Sequence, residues 1–99
     1  MVKRAGRRLR TEHLEVRAVD SLLSHARVAV IVGKHGHKIV ERNRLRRRLR
    51  ELARLSMIPR LRGIDLILRS ASSAYDVGFD QLKNEVETLA GQLSSGRVS

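Results

Sequence analysis

Six arginines fall within nine residues of this chain, in the run Arg42-Asn43-Arg44-Leu45-Arg46-Arg47-Arg48-Leu49-Arg50, and no acidic residue lies among them. A guanidinium stays charged and presents flat, paired donors that grip phosphate oxygens two at a time. The chemistry this run points to is therefore binding of a polyanion, above all a nucleic-acid backbone. Asn43 adds a side chain that both donates and accepts, as contacts to sugars or base edges require. A helix face carrying so much like charge is weakened unless something outside neutralises it, which argues against a merely solvated surface. The wider stretch, residues 34–54, holds Lys34, Lys38, Arg42, Arg44, Arg46, Arg47, Arg48, Arg50 and Arg54 against only Glu41 and Glu51.

Other chemistries find little support. The chain has no Cys, which removes disulfide frameworks, zinc ribbons and thiol nucleophiles. His35 and His37 lie two residues apart in a glycine loop with only Glu41 near them, so we read them as phosphate-facing or solvated rather than as metal ligands. His13 and His25 read as strand and turn residues. The loop Gly33-Lys34-His35-Gly36 lacks the Gly-Lys-Ser/Thr of a nucleotide-hydrolysing phosphate loop. No apolar run is long enough to span a membrane, none follows the basic start as a signal peptide requires, and the leucine face beside the arginines has no Trp or Phe to seat it on a bilayer. We expect a cytoplasmic protein with no membrane partner.

The elements that position the arginines can be traced along the chain. Its 99 residues make a single domain, 41% apolar and +11 in formal charge. Residues 14–19 alternate in period two as a half-buried strand does, and 28–32 are a β-rich run that we expect to pair with it as a hairpin. A glycine loop follows. From residue 39 to about 56 the composition is that of a helix, with Leu45, Leu49, Leu52 and Ser56 on one face; Leu49 and Leu52 fall within about 40° of Leu45. Arg46, Arg47, Arg50, Arg54 and Asn43 fall about 100° to 200° away on the same wheel. Pro59 ends this helix. Residues 64–69 suit a buried strand, 70–73 a loop, and Phe79, Leu82, Val86, Leu89 and Leu93 mark a second amphipathic helix. Residues 1–10 form a basic arm or short first strand, and 94–99 a frayed tail. The expected architecture is α+β: a small two-layer α/β sandwich with one mainly antiparallel sheet, a long Arg-rich helix and a C-terminal helix.

The run Arg42-Asn43-Arg44-Leu45-Arg46-Arg47-Arg48-Leu49-Arg50-Glu51 resembles the signature of the bacterial ribonuclease P protein component: Arg-Asn-Arg, an aliphatic, Lys or Arg, Arg, and a further Arg three residues later. The likeness extends outward in the family's order. Residues 27–32 are similar to the strand before the motif, Lys34 to a loop lysine, Val40 to the valine ahead of the motif, 65–68 to the following strand and 79–93 to the last helix. The resemblance covers roughly residues 7–93.

It implies a subunit of an endoribonuclease holoenzyme. In that family a catalytic RNA removes the 5′ leader of precursor tRNA with bound Mg2+, and the small basic protein binds that RNA and holds the leader. Carried over, Lys34, Lys38, Arg42, Asn43, Arg44, Arg46, Arg47 and Arg50 would bind RNA, and no side chain of the protein would be catalytic. The partners would be ribonuclease P RNA and precursor tRNA, with no obligate protein partner and no cofactor held by the protein itself. The family's sandwich contains a left-handed β-α-β crossover, whose helix would here be residues 39–56. The family also opens with a Phe-bearing helix that helps form the leader cleft. Residues 1–10 here are similar to the segment just after it, so RNA-subunit binding is the firmer expectation and leader recognition the weaker. Two readings stand beside this one. Gly33-Lys34-His35-Gly36 is similar to the Gly-x-x-Gly clamp of KH domains, and the composition equally suits a ribosomal protein.

Overall fold

Alternation of apolar and polar side chains in four short stretches produces the strands of one sheet, and two amphipathic stretches produce the helices that cover it. The computed structural model describes residues 7–33 and 36–96. In chain order these are β1 (Arg7–Arg10), β2 (Leu14–Asp20), β3 (Arg27–Val32), α1 (Ile39–Ser56), β4 (Ile64–Ser70), a 3₁₀ turn (Ser72–Asp76) and α2 (Phe79–Gly96).

The sheet order is β1-β2-β4-β3. β1 and β2 are antiparallel, as are β2 and β4, with Leu14 opposite Ser70 and Ala18 opposite Leu66. β3 runs parallel to β4, Val28 opposite Leu66 and Val32 opposite Ser70. Two of the three pairings are thus antiparallel, but the expected β2–β3 hairpin is not formed. β4 lies between those strands. Its run Ile64-Asp65-Leu66-Ile67-Leu68 takes the interior position, where both edges are hydrogen-bonded, and residues 21–26 lack the Asn-Gly type of turn that would close a tight hairpin. A parallel β3–β4 pair needs a long crossover, and α1 supplies it. Gly63, at φ +63°, turns the chain into β4, and its carbonyl accepts from the Ser21 amide at 2.8 Å.

One face of the sheet is covered. Leu14, Val16 and Ala18 of β2 and Ile64, Leu66 and Leu68 of β4 point into the core, where they meet Leu45, Leu49, Leu52 and Ala53 of α1 and Leu82, Val86, Leu89, Ala90 and Leu93 of α2. α1 packs on β3 and α2, and α2 on β2, so both helices form a single layer. The opposite face presents Arg17, Val19, Ile67 and Arg69 to solvent.

Smaller expectations shift as well. Arg7–Arg10 form β1, while residues 1–6 lie outside the described residues. Most of the expected loop over 70–73 is ordered, with Ser70 closing β4 and the 3₁₀ turn starting at Ser72. α2 continues past Leu93 to Gly96, because the apolar stripe ends on a fully buried leucine whose turn is completed by the residues after it; 97–99 lie outside the described residues. Phe79, expected in the buried stripe, is 41% exposed because it starts α2 at the margin of the core. His13 is buried in the turn before β2. Its amide and the Thr11 hydroxyl both donate to Glu85 Oε1, at 2.9 and 2.6 Å, and its Nδ1 lies 2.6 Å from Ser73 Oγ, which ties the β1–β2 turn to α2 and to the 3₁₀ turn.

Candidate nucleic-acid interface

The arginines are displayed by a helix that is anchored from beneath. Leu45, Leu49 and Leu52 are at most 4% exposed, so the residues between them have no choice but to face outward or sideways. The start of α1 is fixed by Glu41, whose carboxylate accepts from the Lys38 amide at 3.0 Å and lies 3.0 Å from His37 Nδ1. The Lys38 amide first, and His37 next, hold the Glu41 carboxyl below its ordinary value. Gly36, at φ +79°, makes the bend that precedes this start.

The acidic side chains of α1 are already engaged, and most of its arginines are not. Arg54 donates to Glu51 at 2.7 Å, and Arg46 donates to Asn43 Oδ1 at 2.7 Å. Arg44, Arg47, Arg48 and Arg50 are exposed and make no ion pair or hydrogen bond among the described residues. Arg42 is half-buried, with its Nε shielded from solvent and without a partner. Lys38 is exposed; Lys34 and His35 lie outside the described residues. A row of unpaired guanidiniums on a rigid helix is an arrangement suited to phosphates spaced along a backbone.

The cations wrap farther around α1 than a single stripe. Arg47 and Arg50 border a groove shared with Val28 and Val30 of β3. On the other flank Arg44 and Arg48 line a pocket with His37 and Tyr75. The His37 and Tyr75 rings stack at 3.7 Å between centroids and 9° between planes, and the Tyr75 hydroxyl donates to the Gly33 carbonyl at 2.7 Å. Burial pushes the Tyr75 hydroxyl above its ordinary value. Arg48, His37 and Tyr75 are absent from the sequence-based set. The wheel sets Arg48 only about 60° from Leu45, beside the leucine face and away from the other cations, and Tyr75 arrives from a 3₁₀ turn beyond β4 and carries no local signal. Arg54, which the wheel placed among the cations, is neutralised by Glu51.

A second basic surface lies on the uncovered sheet face, where Arg8, Arg17, Val19 and Ile67 line a shallow cleft of about 550 Å³. Arg27 and Asp65 close one side of that face through a bidentate pair at 2.9 and 2.7 Å, which holds the Asp65 carboxyl down. The segment between the two glycines joins a strand to a helix, whereas the KH clamp joins two helices, so the KH reading fails on topology. Among the described residues Glu12, His13 and Glu85 bring three possible metal ligands within 4.8 Å of one another, but Glu85 is already engaged by Thr11, Gln81 and the His13 amide.

The family model described as Ribonuclease P matches residues 1–94. This chain belongs to the ribonuclease P protein family. It is 32% identical over 102 residues to the ribonuclease P protein component of Acidothermus cellulolyticus, a match covering 99% of this chain and 83% of that one. It is 46% identical over 55 residues to that of Syntrophobacter fumaroxidans, covering 56% of this chain but only 46% of the relative. In three dimensions it resembles the ribonuclease P protein of Thermotoga maritima, with a TM-score of 0.76 at 21% identity, over 86% of this chain and 81% of that one. The ribonuclease P motif, residues 42–50, coincides with the unpaired cationic length of α1. Among the described residues no helix is long and apolar enough to cross a membrane.

Proposed function

We propose that this chain is the protein subunit of ribonuclease P: it binds the catalytic RNA of the holoenzyme and assists Mg2+-dependent removal of the 5′ leader from precursor tRNA in the cytoplasm. The observation that carries this reading is α1, where a ribonuclease P motif supplies Arg44, Arg47, Arg48 and Arg50, which have no partners among the described residues, on a helix locked by buried leucines. Cleavage itself belongs to the RNA and its magnesium, and no side chain of the protein is assigned a chemical step. Lys38, Arg42, Asn43 and Arg46 extend the contact toward the start of the helix, with Lys34 assigned by the motif's neighbourhood alone. In this reading the Arg8/Arg17 cleft on the open sheet face takes the leader, its apolar floor of Val19 and Ile67 meeting sugar and base surfaces.

Filter binding to a bacterial ribonuclease P RNA, with an unrelated structured RNA of equal length as competitor, tests the assignment. We expect preferential binding that Arg47→Ala with Arg50→Ala weakens at least tenfold while the circular dichroism spectrum is unchanged. Equal affinity for both RNAs would return the chain to the general class of basic RNA-binding proteins.

A further inference from the structure

The pocket beside the start of α1 has features that phosphate binding does not require. It encloses about 220 Å³ and is lined by His37 and Tyr75, stacked on one another, by Arg44 and Arg48, and by Asp76. The Asp76 side chain is exposed and makes no hydrogen bond or ion pair among the described residues, and neither arginine closes onto it although all three share the pocket. Glu41 also lines the pocket, but its Oε1 is occupied by the Lys38 amide and His37. The pocket therefore offers one aromatic platform and, without partners among the described residues, the whole Asp76 carboxylate and two guanidinium donors, while Glu41 is held at one of its two oxygens.

We infer that this pocket receives a single unpaired guanine of the RNA partner. The inference rests on the reading of α1 as an RNA-binding helix and adds to it a base-specific contact. Proteins read RNA sequence chiefly at unstacked bases, which stack on aromatic side chains and are recognised along their edges. A planar base sliding onto the His37–Tyr75 pair extends an existing two-ring stack. Guanine alone among the four bases presents two adjacent donors, N1–H and the N2 amine, which one carboxylate accepts together, and two acceptors, O6 and N7, which one arginine grips in a fork. Adenine offers the carboxylate a single donor beside an acceptor, and uracil and cytosine offer smaller stacking surfaces. The Tyr75 hydroxyl, held by the Gly33 carbonyl, fixes the platform to the end of β3 and leaves the ring without freedom to turn away.

The test uses the full chain and four fluorescent single-stranded hexanucleotides that differ at one central position, G, A, C or U in a uridine background, titrated by anisotropy at low salt. The guanine hexamer is expected to bind at least about fivefold more tightly than the other three, the discrimination of one bidentate contact. Asp76→Asn, a change at an exposed and unpartnered side chain, abolishes that preference without lowering the affinity for the other three. Arg47→Ala with Arg50→Ala, outside the pocket, weakens all four alike. Tyr75 is the only tyrosine, so its ring-proton shifts report stacking directly and move upfield most with the guanine hexamer. Equal affinities for the four hexamers, or a guanine preference that survives Asp76→Asn, overturn the pocket while leaving the arginine face standing. Absence of binding to all four overturns both.

Discussion

Glu85 is 5% exposed, yet it is a carboxylate facing donors from three other residues: the Thr11 hydroxyl, the His13 amide and the Gln81 side-chain amide. Burial alone would raise its pKa, but those three hydrogen bonds, joined by the nearby His13 ring, outweigh it and hold the carboxyl below its ordinary 4.5. A carboxyl that is lowered in the folded chain protonates first in the unfolded one, so its contribution to stability is complete above about pH 5 and is lost as the pH falls through the lowered value. Denaturant titrations at pH 7, 5 and 3 should show that decline, and Glu85→Ala should flatten it while costing about 1–3 kcal/mol at neutral pH through the donors left unpaired. A Glu85→Ala protein with the stability of the parent would mean the network carries nothing. Nothing in the sequence around Glu85 marked it, since its partners are reached only through the packing of α2 on β2. Leu49 was legible, because its place on the leucine face follows from helical geometry alone. It is fully buried, and Leu49→Ala should cost about 2–5 kcal/mol in thermal or denaturant unfolding.

At the scale of elements, α1 shows how far periodicity reaches. Its bounds and its buried face follow from leucine spacing and from Pro59, and the arginines are outward because the leucines are inward. The pairing of β2, β3 and β4 was not legible, because period-two alternation says which face a strand buries and is silent on its neighbour. That choice was made by the mostly apolar character of β4, broken only by Asp65 before Arg69, and by the length of α1, both properties of segments far from β2. Gly63 lies where these decisions meet, at the entry to β4 with φ +63°, and a Cβ there would come within 3.4 Å of the Leu23 carbonyl. Gly63→Ala should therefore destabilise the fold by about 1–2 kcal/mol, read as a lowered melting temperature, with RNA affinity measured below that temperature unaffected. An unchanged melting temperature would show that the turn tolerates a side chain.

Across the whole molecule the formal charge is +11, and among the described residues two separate surfaces gather basic side chains. One is the arginine length of α1 with its flanks, and the other is the open sheet face with Arg8 and Arg17. Composition foretold a polyanionic partner, and the motif located the first surface. The second needed the sheet, since Arg8 and Arg17 are neighbours only through the β1–β2 register. Binding driven by phosphate contacts falls steeply with salt, and removing Arg47 and Arg50 should reduce the slope of log affinity against log salt by about 1 to 2. An unchanged slope would remove those two side chains from the phosphate contacts.

The most direct test of the molecule's role is cleavage of a precursor tRNA by a bacterial ribonuclease P RNA at low magnesium, alone, with this chain, and with its Arg47→Ala/Arg50→Ala variant. The chain is expected to restore cleavage at the mature 5′ end, and the variant, although folded, to restore little of it. Cleavage that the chain does not stimulate, under conditions where the RNA is saturated with it, would contradict the assignment of this protein as a working ribonuclease P subunit.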